Sequence, residues 1–135
     1  MIRTADAAGA VGVVLAGQSV DVYNPKTVRA SVGSVFHLPI ALEPDPAAAV
    51  AAARAAGFTV SAADGAGDVD LFEADLTGPT ARLFGNEAWG LPDDPAAPAD
   101  HRVAIPIHGR AESLNLSTAA AVCLFASAGA QRSGR

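Results

Sequence analysis

The sequence has little with which to staple itself together. Cys123 is its one cysteine, which excludes an internal disulfide and suits a reducing compartment such as the cytoplasm. His37, His101 and His108 have no metal-ligand spacing to the cysteine or to one another, so a structural zinc site is excluded and no metal is expected. Charged residues make up only 17% of the chain, and half of it is hydrophobic, a balance that argues against disorder. No run of about 20 apolar residues occurs, and the opening stretch from Met1 to Asp6 does not read as a signal peptide, so no membrane contact is expected. Basic residues are also scarce, 9 Lys and Arg against 14 Asp and Glu, a formal charge of −5. Phosphate binding draws on Lys and Arg, so the acidic balance counts against general nucleic-acid affinity. Contact with RNA would need a local patch or a separate basic domain. Arg29, Arg54, Arg82, Arg102 and Arg110 are too scattered in sequence to define that patch.

What the 135 residues do contain is an alternation of short β-rich runs and alanine-rich helical ones, sized for one domain. Alanine inflates the hydrophobic count, so the core must come from Val, Leu, Ile and the five Phe. Val11–Leu15 reads as a buried strand, and Asn24 with Pro25 as the start of a helix towards Ser31. Pro46 opens a second helix, Ala47 to Ala56, closed by Gly57. Phe58–Ser61, Val69–Phe72, Thr80–Phe84 and Arg102–Ile107 are further expected strands, with a turn at Asp64–Asp68 and a proline-rich loop from Leu91 to Asp100. Leu116–Ala128 is a strong helical run, followed by an expected frayed tail at Gln131–Arg135. Strands alternating with helices imply an α/β fold with a mostly parallel sheet flanked by helices on both faces.

In such sheets ligands bind beyond the carboxyl ends of the strands. Two strand ends carry unusual polar loops, Gly85-Asn86-Glu87 after Phe84 and the stretch from His108 to Asn115 after Ile107. Gly85 would let a ligand approach the backbone closely, although a plain surface turn explains the same residues. Trp89-Gly90-Leu91-Pro92 sets a large aromatic among turn formers, which a plain turn does not need. Ser113, Asn115 and Ser117 stand just before the last helix. One of them suffices as an N-cap, and the surplus hydrogen-bonding groups point to a ligand. Ile105 and Leu114 supply apolar walls and free backbone amides, whereas His108 and Arg110 read as solvent-facing loop residues. The absence of GxGxxG, GxxxxGK[ST] and GxSxG patterns removes the usual support for dinucleotide, P-loop and hydrolase readings. Ser34 with His37 lacks an acidic orienter and does not read as a catalytic pair.

Three segments together resemble the SpoU (TrmH-like) family of SPOUT-class RNA methyltransferases. Ile2-Arg3-Thr4-Ala5-Asp6-Ala7-Ala8-Gly9 is similar to the end of the family's first motif, and Phe84-Gly85-Asn86-Glu87-Ala88-Trp89-Gly90-Leu91 to the second. Ile105-Pro106-Ile107-His108-Gly109 with Glu112-Ser113-Leu114-Asn115-Leu116-Ser117 is similar to the third. Asn24–Gly33 resembles the helix between motifs one and two. The resemblance implies methyl transfer from S-adenosylmethionine to a ribose 2′-hydroxyl of rRNA or tRNA by a homodimer. It also implies a sheet whose C-terminal segment forms a trefoil knot, a rare exception to un-knotted topology.

By matched position, Gly85, Ile105 and Leu114 would hold the cofactor through backbone groups, with Leu83, Phe84, Ile107 and Asn115 lining the pocket. Arg3, Glu87, Ser113 and Asn115 match the catalytic and substrate-positioning residues. A guanidinium is ordinarily never neutral, so stabilising an alkoxide or holding a phosphate suits Arg3 better than acting as base. The family's first strand and the asparagine before Arg3 would fall upstream of Met1. The N-terminal RNA-binding domain of many members is expected to be missing too, which would account for the acidic balance. Two other readings remain: a cofactor-binding and dimerisation module inactive as a truncated fragment, and a generic nucleotide-binding α/β domain.

Overall fold

The computed structural model describes residues 1–16, 33, 37–84 and 99–134. Among them helix α1 (Ile2–Ala8) leads into strand β1 (Val13–Ala16). Strand β2 (Ile40–Glu43) and helix α2 (Pro46–Ala55) follow, then β3 (Thr59–Ala63), β4 (Val69–Asp70), β5 (Thr80–Leu83), β6 (His101–Ala104) and helix α3 (Leu116–Ser133). Strands β1 and β2 pair in one sheet, and a four-stranded sheet runs in the order β4-β6-β3-β5, every pairing parallel. The fold is the expected α/β type with parallel sheets flanked by helices. The expected knot depends on the path of residues 85–98, which lie outside the described residues.

Strand β3 is the spine of the larger sheet. Its alternate residues serve opposite faces: Val60 and Ala62 on one, Ser61 and Ala63 on the other. Helix α2, carrying buried Val50, packs on β3, and α3 covers the Ser61 face, where Leu71, Leu76, Val103 and Cys123 form the main apolar cluster. Sealing such side chains from water is the chief stabilising term of the sheet.

Local chemistry sets the element ends. Asp45 caps α2 by accepting from the Ala47 N–H at 3.0 Å, with Pro46 in the first turn, and Gly57 closes it at φ 92°. Gly67 is required by crowding, because a Cβ there would stand 2.8 Å from the Arg102 carbonyl oxygen. That close approach seats the 64–68 turn against β6.

Several expected boundaries are corrected. The Val69–Phe72 strand stops at Asp70, whose carboxylate accepts from the Phe72 N–H at 2.8 Å and folds the next residues into a turn. The Arg102–Ile107 strand is His101–Ala104, since its outer partner β4 ends opposite Ala104 and Pro106 lacks a ladder donor. The final helix runs to Ser133, five residues past the expected Ala128, so Gln131 is helical and not frayed; its side chain donates to the Gly78 carbonyl at 3.1 Å. Strand β2 was not expected at all, and the Asn24–Ser31 helix lies outside the described residues.

Candidate active site

Strands β5 and β6 flank β3, and their carboxyl ends open on the same edge of the sheet. Leu83 lies in one row with Ala62 and Arg102, so β6 runs two residues further than β5 before Ile105 leaves the same edge. The start of the second motif segment, at Phe84, therefore leaves the same sheet edge as the start of the third, at Ile105. Gly85 and Glu87 lie outside the described residues.

Leu83 is half-buried, and the half-buried side chains of Phe84 and Ile105 pack against the Leu71–Cys123 cluster. Their apolar bodies are thus committed to the core. Beyond Ile105 the environment changes. From Ile107 to Thr118 every residue is exposed, including the aliphatic Ile107 at 37% and Leu114 at 38%. The backbone groups of residues 107–114 have no hydrogen-bond partner among the described residues. Exposed aliphatic side chains beside amides and carbonyls without partners among the described residues are groups that can take up a ligand.

Asn115 is the N-cap of α3, its Oδ1 accepting from the Ser117 N–H at 2.9 Å. The cap uses the amide oxygen and leaves the Nδ2 donors without a partner among the described residues. Ser113 is exposed two residues earlier. Arg3 is exposed on α1, and α1 packs against α3, the helix that Asn115 caps. No described hydrogen bond or ion pair joins Arg3 to Ser113 or Asn115, so the structure brings their helices together without joining the side chains.

Other basic side chains are committed elsewhere. Arg54 grips Asp100 at 2.8 Å, Arg102 meets Asp64 at 3.1 Å, and His37 meets Asp6 at 3.1 Å. The Asp100 carboxyl is held below the usual carboxylate range, first by the Val60 N–H at 2.9 Å and then by Arg54. Asp75 is lowered in the same sense by the Thr77 hydroxyl and then its N–H. Burial pushes the Cys123 thiol up, with nearby Arg82 opposing the shift. Reading the sequence passed over a polar cross-link made by Arg82. Its Nη1 donates to Ser61 Oγ at 2.8 Å and its Nη2 to Ser127 Oγ at 3.0 Å. The three residues span 66 positions of chain, from 61 to 127, so no local pattern announces them. His108 and Arg110 are exposed loop residues, as expected.

The model of the SpoU rRNA Methylase family matches residues 1–125. The chain belongs to this family. It is 44% identical over 140 residues to a 23S rRNA (uridine(2479)-2′-O)-methyltransferase of Streptomyces viridochromogenes, covering 100% of this chain and 49% of that protein. It is 38% identical over 126 residues to a tRNA (guanosine(18)-2′-O)-methyltransferase of Thermus thermophilus, covering 93% of this chain and 64% of that protein. Among solved structures, the SpoU methyltransferase AviRb from Streptomyces viridochromogenes in complex with the cofactor AdoMet superposes with a TM-score of 0.84 at 43% identity. That match covers 98% of this chain and 55% of AviRb. The chain spans about half the length of most of the curated relatives it matches. Membership in the SpoU family sets aside the generic nucleotide-binding reading. No helix among the described residues is long and apolar enough to cross a membrane.

Proposed function

We propose that this SpoU-family chain is the catalytic domain of an RNA methyltransferase that moves a methyl group from S-adenosylmethionine to a ribose 2′-hydroxyl of rRNA or tRNA, working as a homodimer in the cytoplasm. The observation that carries the reading is the meeting of the Leu83–Phe84 and Ile105–Asn115 segments on one sheet edge, with Ile107 and Leu114 exposed and the backbone groups of residues 107–114 without a partner among the described residues. The relatives named as 2′-O-methyltransferases of rRNA and tRNA support the class of substrate. The trefoil knot of the family's fold belongs to this proposal.

The cofactor supplies a methyl group already activated by its sulfonium. The chain must then mainly align the hydroxyl oxygen and manage its proton. Backbone groups near Ile105 and Leu114 would hold the adenine, Gly85 would admit it closely, and Leu83, Phe84 and Ile107 would wall the pocket. Ser113 and the Nδ2 of Asn115 would orient the ribose. The guanidinium of Arg3 would stabilise the developing alkoxide, with Glu87 orienting it.

The test is methyl transfer from radiolabelled S-adenosylmethionine to rRNA and tRNA, paired with calorimetric binding of S-adenosylhomocysteine. Arg3→Ala should lower turnover by about 10² or more while leaving binding near the parent's, because Arg3 acts on the transition state. Parent protein that binds the cofactor product yet transfers no methyl group would favour the inactive-module alternative. A folded parent that binds nothing would defeat the reading.

A further inference from the structure

Arg82 is a charge in an unexpected place. It is half-buried on β5, paired in the sheet with Ser61 and roofed by α3. Its two hydrogen-bond partners are neutral hydroxyls that are themselves sealed, Ser61 at 4% exposure and Ser127 at 7%. Its Nε is buried without a partner, and among the described residues no carboxylate pairs with it. Burial depresses the guanidinium's affinity for its proton, the signature of a cation short of solvation. As a contribution to stability this is a poor arrangement, since two hydroxyls offset only part of the desolvation and an apolar side chain of similar length would avoid it.

What the arrangement supplies is direction. The contacts of Val122, Cys123 and Ala126 with the sheet are apolar, and apolar contacts tolerate sliding of one surface over another. A planar fork holding one oxygen on β3 and another on α3 admits one setting. Helix α3 begins at Leu116, behind its N-cap Asn115, and β5 ends at Leu83, next to Phe84 on the Arg82 face. The fork therefore ties the strand that leads to Phe84 to the helix that follows Asn115, gripping that helix at Ser127, about three turns from its start.

We infer that Arg82 is a positioning residue, which by bridging Ser61 and Ser127 fixes the 105–115 segment against the exit of β5. The inference rests on the proposed cofactor site. Arg82→Met keeps length and removes the fork; Arg82→Lys keeps charge but reaches only one serine. Both should lose S-adenosylhomocysteine affinity by about tenfold or more, with Ser127→Ala losing less, while each melts cooperatively. Asp45→Ala, at the remote cap of α2, serves as the control: it should lower Tm with affinity unchanged. Parent-like binding by Arg82→Met, or a loss that Asp45→Ala reproduces at matched Tm, overturns the inference. If the parent does not bind, the cofactor reading fails separately, and amide hydrogen exchange decides the positioning role. Faster exchange at residues 116–124 in Arg82→Met, absent in Asp45→Ala, upholds it; identical exchange overturns it.

Discussion

Val103 lies under α3 at 2% exposure, packed with Leu71, Leu76 and Cys123, while every residue from Ile107 to Thr118 is exposed. These neighbouring stretches of one segment have opposite environments, and the difference separates two kinds of function. The buried stretch holds the strand end still, and the exposed one offers groups that the fold itself does not use. Ile105 stands at the boundary, its side chain on the core and its backbone at the edge. If the division is real, substitutions on the buried side should change stability, and those on the exposed side binding.

The largest effect is expected at Leu71, fully buried at the centre of the cluster. Leu71→Ala should destabilise by about 2–5 kcal/mol through lost burial and the cavity left behind, read by urea denaturation. Gly67→Ala comes next. Its Cβ would meet backbone atoms of Arg102 and Val103 that cannot swing aside, so a loss of about 1–3 kcal/mol is expected. A parent-like midpoint for either variant would break the comparison on its buried side.

A smaller and pH-dependent effect is expected at Asp100, whose side chain is 37% exposed. Its folded-state pKa is depressed, so its contribution is present above the unfolded value of about 3.9 and is lost as pH falls through the lower folded value. Asp100→Asn should cost under about 1 kcal/mol at neutral pH, because solvent screens the Arg54 pair. It should also flatten the acid limb of a stability-against-pH curve, and an unchanged limb would assign acid sensitivity to other carboxylates.

Much of this division was legible in the sequence. Pro46 and Gly57 mark the ends of α2 through chemistry confined to a few residues. The parallel α/β class follows from alternation, and the polar loop read from His108 to Asn115 is exposed. Strand β2 escaped because Ile40–Glu43 is four residues between prolines, too short to show a period, and its identity as a strand rests on pairing with β1. The Arg82 bridge escaped for the same reason, since its partners meet only when the fold forms. The motif residues were found by resemblance, not by periodicity, which carries no trace of the knot.

The sharpest test lies at Asn115, where structure and chemistry use different atoms of one side chain. The cap to Ser117 needs only the Oδ1 acceptor. Asn115→Asp keeps an acceptor there, and a carboxylate at a helix N-terminus is favoured by the dipole, so stability should stay within about 0.5 kcal/mol of the parent. What it removes are the Nδ2 donors, and it adds negative charge where the proposed reaction develops an alkoxide. Turnover should therefore fall by about tenfold or more with Tm unchanged. Loss of both together would mean that the exposed stretch supports the fold after all. Retention of both would mean that Asn115 is a cap and nothing else.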